Sequence, residues 1–305
     1  MKTAIVTGAN GFIGRYVSYA CAEHGIYVIG IGHGDWTKET QKQWGVAEWH
    51  EVDVSLSTLL AHGQMSPLIF HCAGSGSVGY SFENPAEDFE RTVSTTREVL
   101  EYIRTCAPDT VLVYPSSAAV YGQSSVPPIP ESATLAPVSP YGVHKKIAED
   151  LCRSYGDHFG IRSAVIRIFS AYGPELRKQL LWDACRKISA ATPTFSGTGN
   201  ERRDWVNVRD VAALMLIASR HATPSVPVLN CATGNGITIR ETVNLLAETM
   251  NCRQTPTFDG IQRSGDPARL FGNNDASRAI GWEPRVTLRE GIEEYVKWFL
   301  GLSDD

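Results

Sequence analysis

Short apolar runs and helical patterns alternate along the first half of the chain. Five runs have the length of buried strands: residues 3–7, 27–31, 46–54, 68–73 and 110–115. Between them apolar residues recur at helical spacing, as at Tyr16, Val17, Ala20 and Cys21 and again along residues 85–102. This alternation predicts an α/β protein with a doubly wound parallel sheet, whose ligand lies at the carboxyl ends of the strands.

The second half has a different pattern. It begins with an amphipathic helix and a glycine-rich turn, and two more helices end the chain. The predicted elements are a helix at 175–188, a turn segment at 193–200, a strand leading into a helix at 205–218, a strand at 228–231, and helices at 238–250 and 288–300. Thr238 is the expected N-cap of its helix.

Composition excludes several classes of protein. A chain of 305 residues with 43% hydrophobic residues can form a globular core, and a formal charge of −5 argues against binding to nucleic acids or anionic membranes. No apolar run could span a bilayer and the start resembles a strand rather than a signal peptide, so we expect a cytoplasmic protein. The seven cysteines include no Cys-x-x-Cys pair, which favours buried thiols and no metal site.

Gly8, Gly11 and Gly14 separate the first strand from the first helix. Glycines at this spacing let the backbone turn tightly, approach a pyrophosphate and pack the helix on the strand, while the helix N-terminus presents free N–H groups. The pattern predicts a dinucleotide site.

The second strand ends in Gly-His-Gly around His33, where a dinucleotide site usually has an acidic residue for the adenosine ribose. Loss of that carboxylate removes repulsion against a 2′-phosphate, and Arg15, His33 and Lys38 could supply positive charge. We expect NADP(H) or NAD(H), with NADP(H) favoured. The alternative is that Asp35 reaches back and serves NAD.

Tyr141 and Lys145 lie one turn apart if the residues that follow Tyr141 are helical. A cation near a phenol favours the phenolate and lowers its pKa, so this pair can do acid–base chemistry. Its meaning depends on the rest of the chain, because the spacing alone arises often by chance.

A set of ordered motifs covers nearly the whole chain: residues 7–14 (TGANGFIG), 71–73 (HCA), 115–122 (PSSAAVYG), 141–145 (YGVHK), 167–174 (RIFSAYGP), 202–210 (RRDWVNVRD) and 263–266 (RSGD). The set resembles the extended short-chain dehydrogenase/reductases, and more narrowly their nucleotide-sugar epimerase, dehydratase and reductase branch. The resemblance implies a Rossmann-type domain of residues 1–169 with 205–235. It also implies a smaller, discontinuous C-terminal substrate-binding domain of 170–204 and 236–305.

The resemblance also implies roles for individual residues. Tyr141 would be the acid–base group, Lys145 would bind the nicotinamide ribose and lower the pKa of Tyr141, and Ser117, rather than Ser116, would hydrogen-bond the reacting oxygen. The implied cofactor residues are Gly8, Asn10, Gly11, Phe12, Ile13, Gly14, His33, Asp53, Val54, Cys72, Ala73, Gly74, Ser75, Tyr141, Lys145 and Ile168. The implied residues around a nucleotide sugar are Ser117, Ser170, Leu180, Phe195, Arg203 and Arg263.

Departures from the family pattern narrow the reaction. Related 4,6-dehydratases carry Asp-Glu, and 3,5-epimerase/reductases a cysteine, where this chain has Ala118 and Ala119. Hydride transfer at one carbinol carbon remains. Thr92 and Ser170 replace two asparagines of the epimerase pattern, which favours a 4-keto reductase of a nucleotide-4-keto-6-deoxyhexose over a 4-epimerase with tightly bound NAD. A third alternative is a non-catalytic dinucleotide-sensing protein.

Two further expectations concern packing. His71 ends an apolar strand and is interpreted as a hydrogen-bonded core histidine rather than a base. The helix at residues 85–104 and the helix that begins at Tyr141 resemble those that pair across a two-fold axis in this family, so we expect a homodimer through a four-helix bundle.

Overall fold

The computed structural model describes residues 2–123, 127–261 and 267–302. The strands are β1 Thr3–Thr7, β2 Tyr27–Gly32, β3 Glu48–Glu51, β4 Leu68–His71, β5 Val111–Ser117, β6 Ser163–Ile168, β7 Ser170–Tyr172, β8 Thr194–Phe195, β9 Arg202–Arg203, β10 Trp205–Asn207, β11 Val228–Cys231, β12 Ile237–Thr238, β13 Thr257–Phe258 and β14 Arg269–Leu270. The helices are α1 Phe12–Glu23, α2 Lys38–Gln43, α3 Leu56–His62, α4 Val78–Glu83, α5 Pro85–Phe89, α6 Thr95–Cys106, α7 Pro140–Phe159, α8 Gln179–Ser189, α9 Val208–Ala218, α10 Ile239–Thr249, α11 Asp275–Ala279 and α12 Leu288–Gly301.

In the described part of the chain, seven strands form one sheet in the order β3-β2-β1-β4-β5-β6-β11. Every pairing in it is parallel. The chain builds outward from β1 in one direction and from β4 in the other, so the switch point at which such sheets bind ligands lies between these two strands. The predicted Rossmann-type doubly wound fold is confirmed.

Helices cover both faces of this sheet because successive side chains of a strand point to opposite sides. Ala4 and Val6 of β1 enter the core that α1 and α9 cover. Ile5, between them, enters the core formed with α3, α6 and α7. Each strand is therefore apolar on both faces, which explains the continuous apolar runs in the sequence.

A separate core joins α8, α10 and α12, with Leu181, Leu246 and Phe299 among its buried residues. Short strands surround it, β8 paired with β13, and β9 paired with both β12 and β14. Thr238 caps α10 through a reciprocal capping box, as predicted. The domain boundaries stay a prediction, and Trp282, from the range assigned to the smaller domain, packs in the sheet core instead.

Two predicted helices differ from the structure. The helix expected at residues 85–102 contains a π-helical turn at Glu90–Ser94 between α5 and α6. The helix expected from residue 175 begins only at Gln179. Glu175 (φ 74°) has a left-handed backbone conformation, which interrupts a right-handed helix, and Gln179 (φ 68°), the first residue of α8, has one too. Within the described ranges, no helix combines the length and apolar character needed to cross a membrane.

Candidate active site

The predicted cofactor residues follow one edge of the sheet. Residues 8–14 form the turn after β1 and the first turn of α1, and His33 follows β2. Asp53 and Val54 follow β3, residues 72–75 follow β4, and Ile168 is the last residue of β6. Because parallel strands end at the same edge, residues far apart in the sequence come together there.

The glycine turn packs so closely against neighbouring backbone that side chains at these positions would clash. A Cβ on Gly14 would lie 2.1 Å from the Gly8 oxygen, and one on Gly8 would lie 2.7 Å from the Ala73 nitrogen. Gly8 also has a φ of 66°, which favours glycine. The N-terminus of α1 has no side-chain cap and no acidic residue in its first turn. This cradle fits the pyrophosphate of a dinucleotide.

The cations expected near the adenosine ribose are engaged with neighbouring residues. Arg15 donates to Glu175 at 2.6 Å and to the backbone oxygen of Asn10 at 2.7 Å. His33 pairs with Asp53 at 2.8 Å, both side chains being largely exposed. Arg15 is therefore already paired with an acidic side chain and a backbone oxygen, and His33 with Asp53, so these contacts give no support to the preference for NADP(H).

His71 is fully buried at the end of β4 and accepts or donates a hydrogen bond of 2.7 Å with the Thr7 hydroxyl. Burial lowers its pKa to about 3, with a smaller contribution from Lys145. Burial likewise raises the pKa of the Cys72 thiol to about 12. The interpretation of His71 as a satisfied core residue is confirmed, and neither side chain is an acid–base group near neutral pH.

The π-helical turn supports the loop after β4. Its Thr92 hydroxyl accepts a hydrogen bond from the Ser75 nitrogen at 3.3 Å. A π-helical turn adds a residue to the helix and so re-aims the side chains it carries. Thr92 therefore holds the loop that carries Gly74 and Ser75, although it replaces the asparagine of the epimerase pattern.

The two serines at the end of β5 have different partners. Ser116 is buried and donates to Glu149 at 2.6 Å. Ser117 accepts from the Ala119 nitrogen at 3.2 Å and hydrogen-bonds the Tyr141 side chain. Ser117, unlike Ser116, therefore lies beside Tyr141, and its role near the reacting oxygen stays a prediction.

Tyr141 and Lys145 are on the first turns of α7, which starts with Ser139 as a capping residue and Pro140 at its first position. The Lys145 ammonium donates to the Pro115 oxygen at 3.0 Å and lies 5.0 Å from the centre of the Tyr114 ring. Burial lowers the pKa of Lys145 to about 8. This ammonium is held beside the end of β5, where the loop after β4 also passes.

The pKa of Tyr141 is raised, which corrects the expectation that Lys145 lowers it. Burial is the main cause and the charge of Asp88 adds to it, while the hydrogen bond with Ser117 opposes both. Lys145 is not among the groups that shift this pKa, although its ammonium lies 5.9 Å from the centre of the Tyr141 ring. The role of Tyr141 as the acid–base group stays a prediction.

Three of the residues predicted around the substrate contact other parts of the protein in this structure. Phe195 is only 3% exposed and packs against Phe258 in the core of α8, α10 and α12, with 5.8 Å between ring centres. Leu180 packs at the margin of the same core. Arg203 is 9% exposed and donates to the Pro267 oxygen at 2.7 Å. Their roles stay predictions.

Two other predicted substrate residues complete this set. Ser170 lies in β7 and donates its backbone N–H to the backbone oxygen of Asp204 at 2.9 Å. Arg263, with the motif at residues 263–266, lies outside the described residues.

Sequence reasoning missed three residues near this site. Asp88 of α5 and His144 of α7 form a hydrogen bond of 2.6 Å. Lys178 donates to the Gly76 oxygen at 3.4 Å, and the surrounding protein lowers its pKa. His144 could have been noticed from its position between Tyr141 and Lys145, whereas no local sequence pattern marked Asp88 or Lys178.

Comparison with known proteins agrees with this geometry. The model of the NAD dependent epimerase/dehydratase family matches residues 4–232. A UDP-glucose 4-epimerase of Azospirillum brasilense is 28% identical, over 94% of this chain and 89% of its own length. UDP-glucuronate 4-epimerase 4 of Arabidopsis thaliana is 25% identical, over 98% of this chain and 75% of its own length.

A solved structure is also similar over its whole length. It is the UDP-glucose 4-epimerase of Thermotoga maritima with UDP-glucose, with a TM-score of 0.89, 25% identity and coverage of 99% of both chains. The family match spans most of the chain and includes the glycine turn, Ser117, Tyr141 and Lys145. The chain belongs to the NAD dependent epimerase/dehydratase family and is an NAD(P)-dependent enzyme of the short-chain dehydrogenase/reductase type.

Proposed function

We propose that the protein is a UDP-sugar 4-epimerase that uses NAD. The observation that carries this proposal is the convergence of Ser117, Tyr141 and Lys145 at a dinucleotide cradle, with alanines at positions 118 and 119. This set can move a proton and accommodate hydride transfer at one carbon, which is all that inversion at C4 requires. The similarity to 4-epimerases favours this function over the 4-keto reductase expected from the sequence.

NAD supplies a hydride acceptor for the sugar C4 when it is bound. The glycine turn would hold its pyrophosphate, and Lys145 its nicotinamide ribose. We favour NAD over NADP because Arg15 is paired with Glu175 and His33 with Asp53, so that a 2′-phosphate would have to displace existing partners.

Tyr141 takes the proton of the sugar 4-hydroxyl as the hydride leaves C4, and gives it back to the 4-keto oxygen after the sugar has turned over. Ser117 hydrogen-bonds the phenol, and in the complex it would also hold the reacting oxygen. One residue acts as base and then as acid, so no second proton donor is needed.

The test is incubation of the purified protein and NAD with UDP-glucose or UDP-glucuronate, followed by chromatographic separation of the 4-epimers. We expect interconversion with no net formation of reduced nicotinamide. Tyr141→Phe should lower the rate at least about 100-fold while it leaves dinucleotide binding intact. Failure to interconvert any UDP-sugar pair would refute the epimerase.

The reductase remains the second candidate, because Thr92 and Ser170 replace asparagines of the epimerase pattern. It predicts stoichiometric consumption of NADH or NADPH with a nucleotide-4-keto-6-deoxyhexose. A dinucleotide-sensing protein predicts dinucleotide binding with neither reaction. The cytoplasmic location stays a prediction.

We also propose a homodimer through α5, α6 and α7. Exposed apolar side chains on this side of the molecule support it, with Phe82 61%, Phe89 37% and Val143 40% exposed. The double variant Phe82→Asp/Val143→Asp should be a monomer in light scattering, whereas Leu60→Asp, an exposed position on α3, should remain dimeric. A monomeric wild-type protein would contradict the dimer.

A further inference from the structure

The end of β2 meets the glycine turn at the side chain of Asn10. β2 ends at Gly32 and continues into His33 and Gly34, so no carboxylate stands where a dinucleotide site commonly holds the adenosine ribose. The Asn10 Nδ2 donates to the His33 oxygen at 3.3 Å, and a Cβ on Gly34 would lie 2.5 Å from the same nitrogen. Groups that contact this amide are therefore close to the end of β2.

Arg15 places a cation on the other side of the same amide. Its Nη2 donates to Oδ1 of Asn10 at 3.1 Å and to the backbone oxygen of Asn10 at 2.7 Å. An arginine near the end of β2 is the group that accommodates a 2′-phosphate in NADP sites. Among the described residues, Nε of Arg15 has no hydrogen-bond partner, so its present contacts leave a donor unused. Without a carboxylate partner, Arg15 would favour NADP.

Glu175 supplies that carboxylate from far along the chain. Its Oε2 accepts from Nη1 of Arg15 at 2.6 Å, and the two side chains are only 28% and 15% exposed. A partly buried, charge-assisted contact is screened less by solvent than a pair at the surface. The pair of His33 with Asp53 is of the surface kind, since both side chains are largely exposed. Glu175 therefore has the stronger effect on the charge beside β2.

Contacts with α12 hold Glu175 in place. The residue follows β7 with a φ of 74°, a conformation that is costly for a residue with a side chain. Its Oε1 accepts from the indole N–H of Trp298 at 3.2 Å, and the carbonyl of the next residue, Leu176, accepts from the Tyr295 hydroxyl at 2.7 Å. The carboxylate is thus oriented towards Arg15 by the protein itself.

We propose that Glu175 determines the cofactor specificity of the dinucleotide site, in place of the acidic residue that is missing after β2. Its carboxylate neutralises Arg15, which would otherwise bind a 2′-phosphate, and it repels that phosphate directly. Only the presence of a dinucleotide site is taken from the proposed function, because binding is measurable without epimerisation.

The experiment is calorimetric titration of the full-length protein with NAD and with NADP, without a sugar substrate. The measured quantity is the ratio of the Kd of NADP to the Kd of NAD, in which effects common to both dinucleotides cancel. We expect Glu175→Gln to lower this ratio at least about tenfold, because Arg15 then pairs with the 2′-phosphate. Arg15→Met should raise it at least about threefold, because Glu175 is left unpaired. The double variant should lie within about threefold of the wild type, because it lacks both charges.

Glu248→Gln is the matched control, since it removes the carboxylate of an exposed pair with Arg289 and should leave the ratio unchanged. An unchanged ratio in Glu175→Gln, or an equal fall in the control, would overturn the role of Glu175. A larger fall in Asp53→Asn than in Glu175→Gln would assign the specificity to Asp53 instead. If Glu175→Gln does not fold, Arg15→Met decides, and a ratio that does not rise in that variant counts against Glu175.

The two proposals can fail separately. A protein that shows these shifts in affinity but interconverts no UDP-sugar would refute the epimerase and leave the role of Glu175 standing. An epimerase whose ratio does not respond to Glu175→Gln would do the reverse. A wild-type protein that binds neither dinucleotide would refute both.

Discussion

Replacing Lys145 by Met should stabilise the folded protein near neutral pH, although it removes a group of the candidate active site. Lys145 is only 6% exposed, and burial lowers its pKa from 10.5 to about 8. At pH 7 the side chain is charged in both the folded and the unfolded protein, so the folded state bears the full cost of a buried ammonium. A methionine of similar length avoids that cost.

The size of the effect follows from the pKa. At about 1.4 kcal/mol per pH unit, the difference between 10.5 and about 8 corresponds to about 3 kcal/mol. Loss of the hydrogen bond to the Pro115 oxygen and imperfect packing of Met against Tyr114 together offset about 1 kcal/mol. We therefore expect the free energy of unfolding at pH 7 to rise by about 2 kcal/mol.

The pH dependence has a definite sign. Between about pH 8 and pH 10.5 the folded protein has released this proton and the unfolded chain still binds it, so the contribution of Lys145 to stability rises with pH. The advantage of Lys145→Met should be complete below pH 8 and should disappear towards pH 10.5.

Urea unfolding of both proteins across this range, without added dinucleotide, measures the difference. Lys146→Met is the matched control: Lys146 is half-exposed and paired with Asp150, so its replacement should change stability by less than about 0.5 kcal/mol. A Lys145→Met protein that is less stable than the wild type at pH 7, or a difference that does not vary with pH, would refute the reasoning.

Three further outcomes are expected. Gly14→Ala should weaken NAD binding in calorimetry at least about tenfold, because its Cβ would lie 2.1 Å from a backbone oxygen of the glycine turn. Gly301→Ala, where a Cβ meets no atom within 4 Å, should leave the affinity unchanged, and equal affinities of the two variants would contradict the predicted dinucleotide site. Ser117→Ala should lower kcat about 10- to 100-fold, while Ser116→Ala should mainly lower the melting temperature; the reverse would exchange their roles. Arg167→Met removes the two-pronged partner of the buried Glu149 carboxylate, which keeps only Ser116 and the more distant Arg153, and should cost about 3 kcal/mol in urea unfolding; a neutral effect would show that the ion pair is dispensable.

The order of strands and helices could be read from the sequence because it depends on local periodicity. Both faces of each sheet strand are buried, so the strands appear as apolar runs, and the glycines at 8, 11 and 14 mark a backbone approach that side chains would block. Thr238 and Glu241 likewise form the capping box that their spacing allows. Ser117, Tyr141 and Lys145 were identified through the resemblance of their motifs to those of the family, because the Tyr-Lys spacing alone arises often by chance.

Contacts between distant segments were decided only by the tertiary structure. The meeting of Asp88 with His144, and of Arg15 with Glu175, depends on how separate elements pack and leaves no periodic trace. Desolvation also depends on everything around a group, which is why the pKa of Tyr141 is raised where the Tyr-Lys spacing predicted a lower one. The sequence alone determined which side chains could do the chemistry, while their burial and neighbours decided their protonation, because electrostatic energies depend on three-dimensional surroundings rather than on order along the chain.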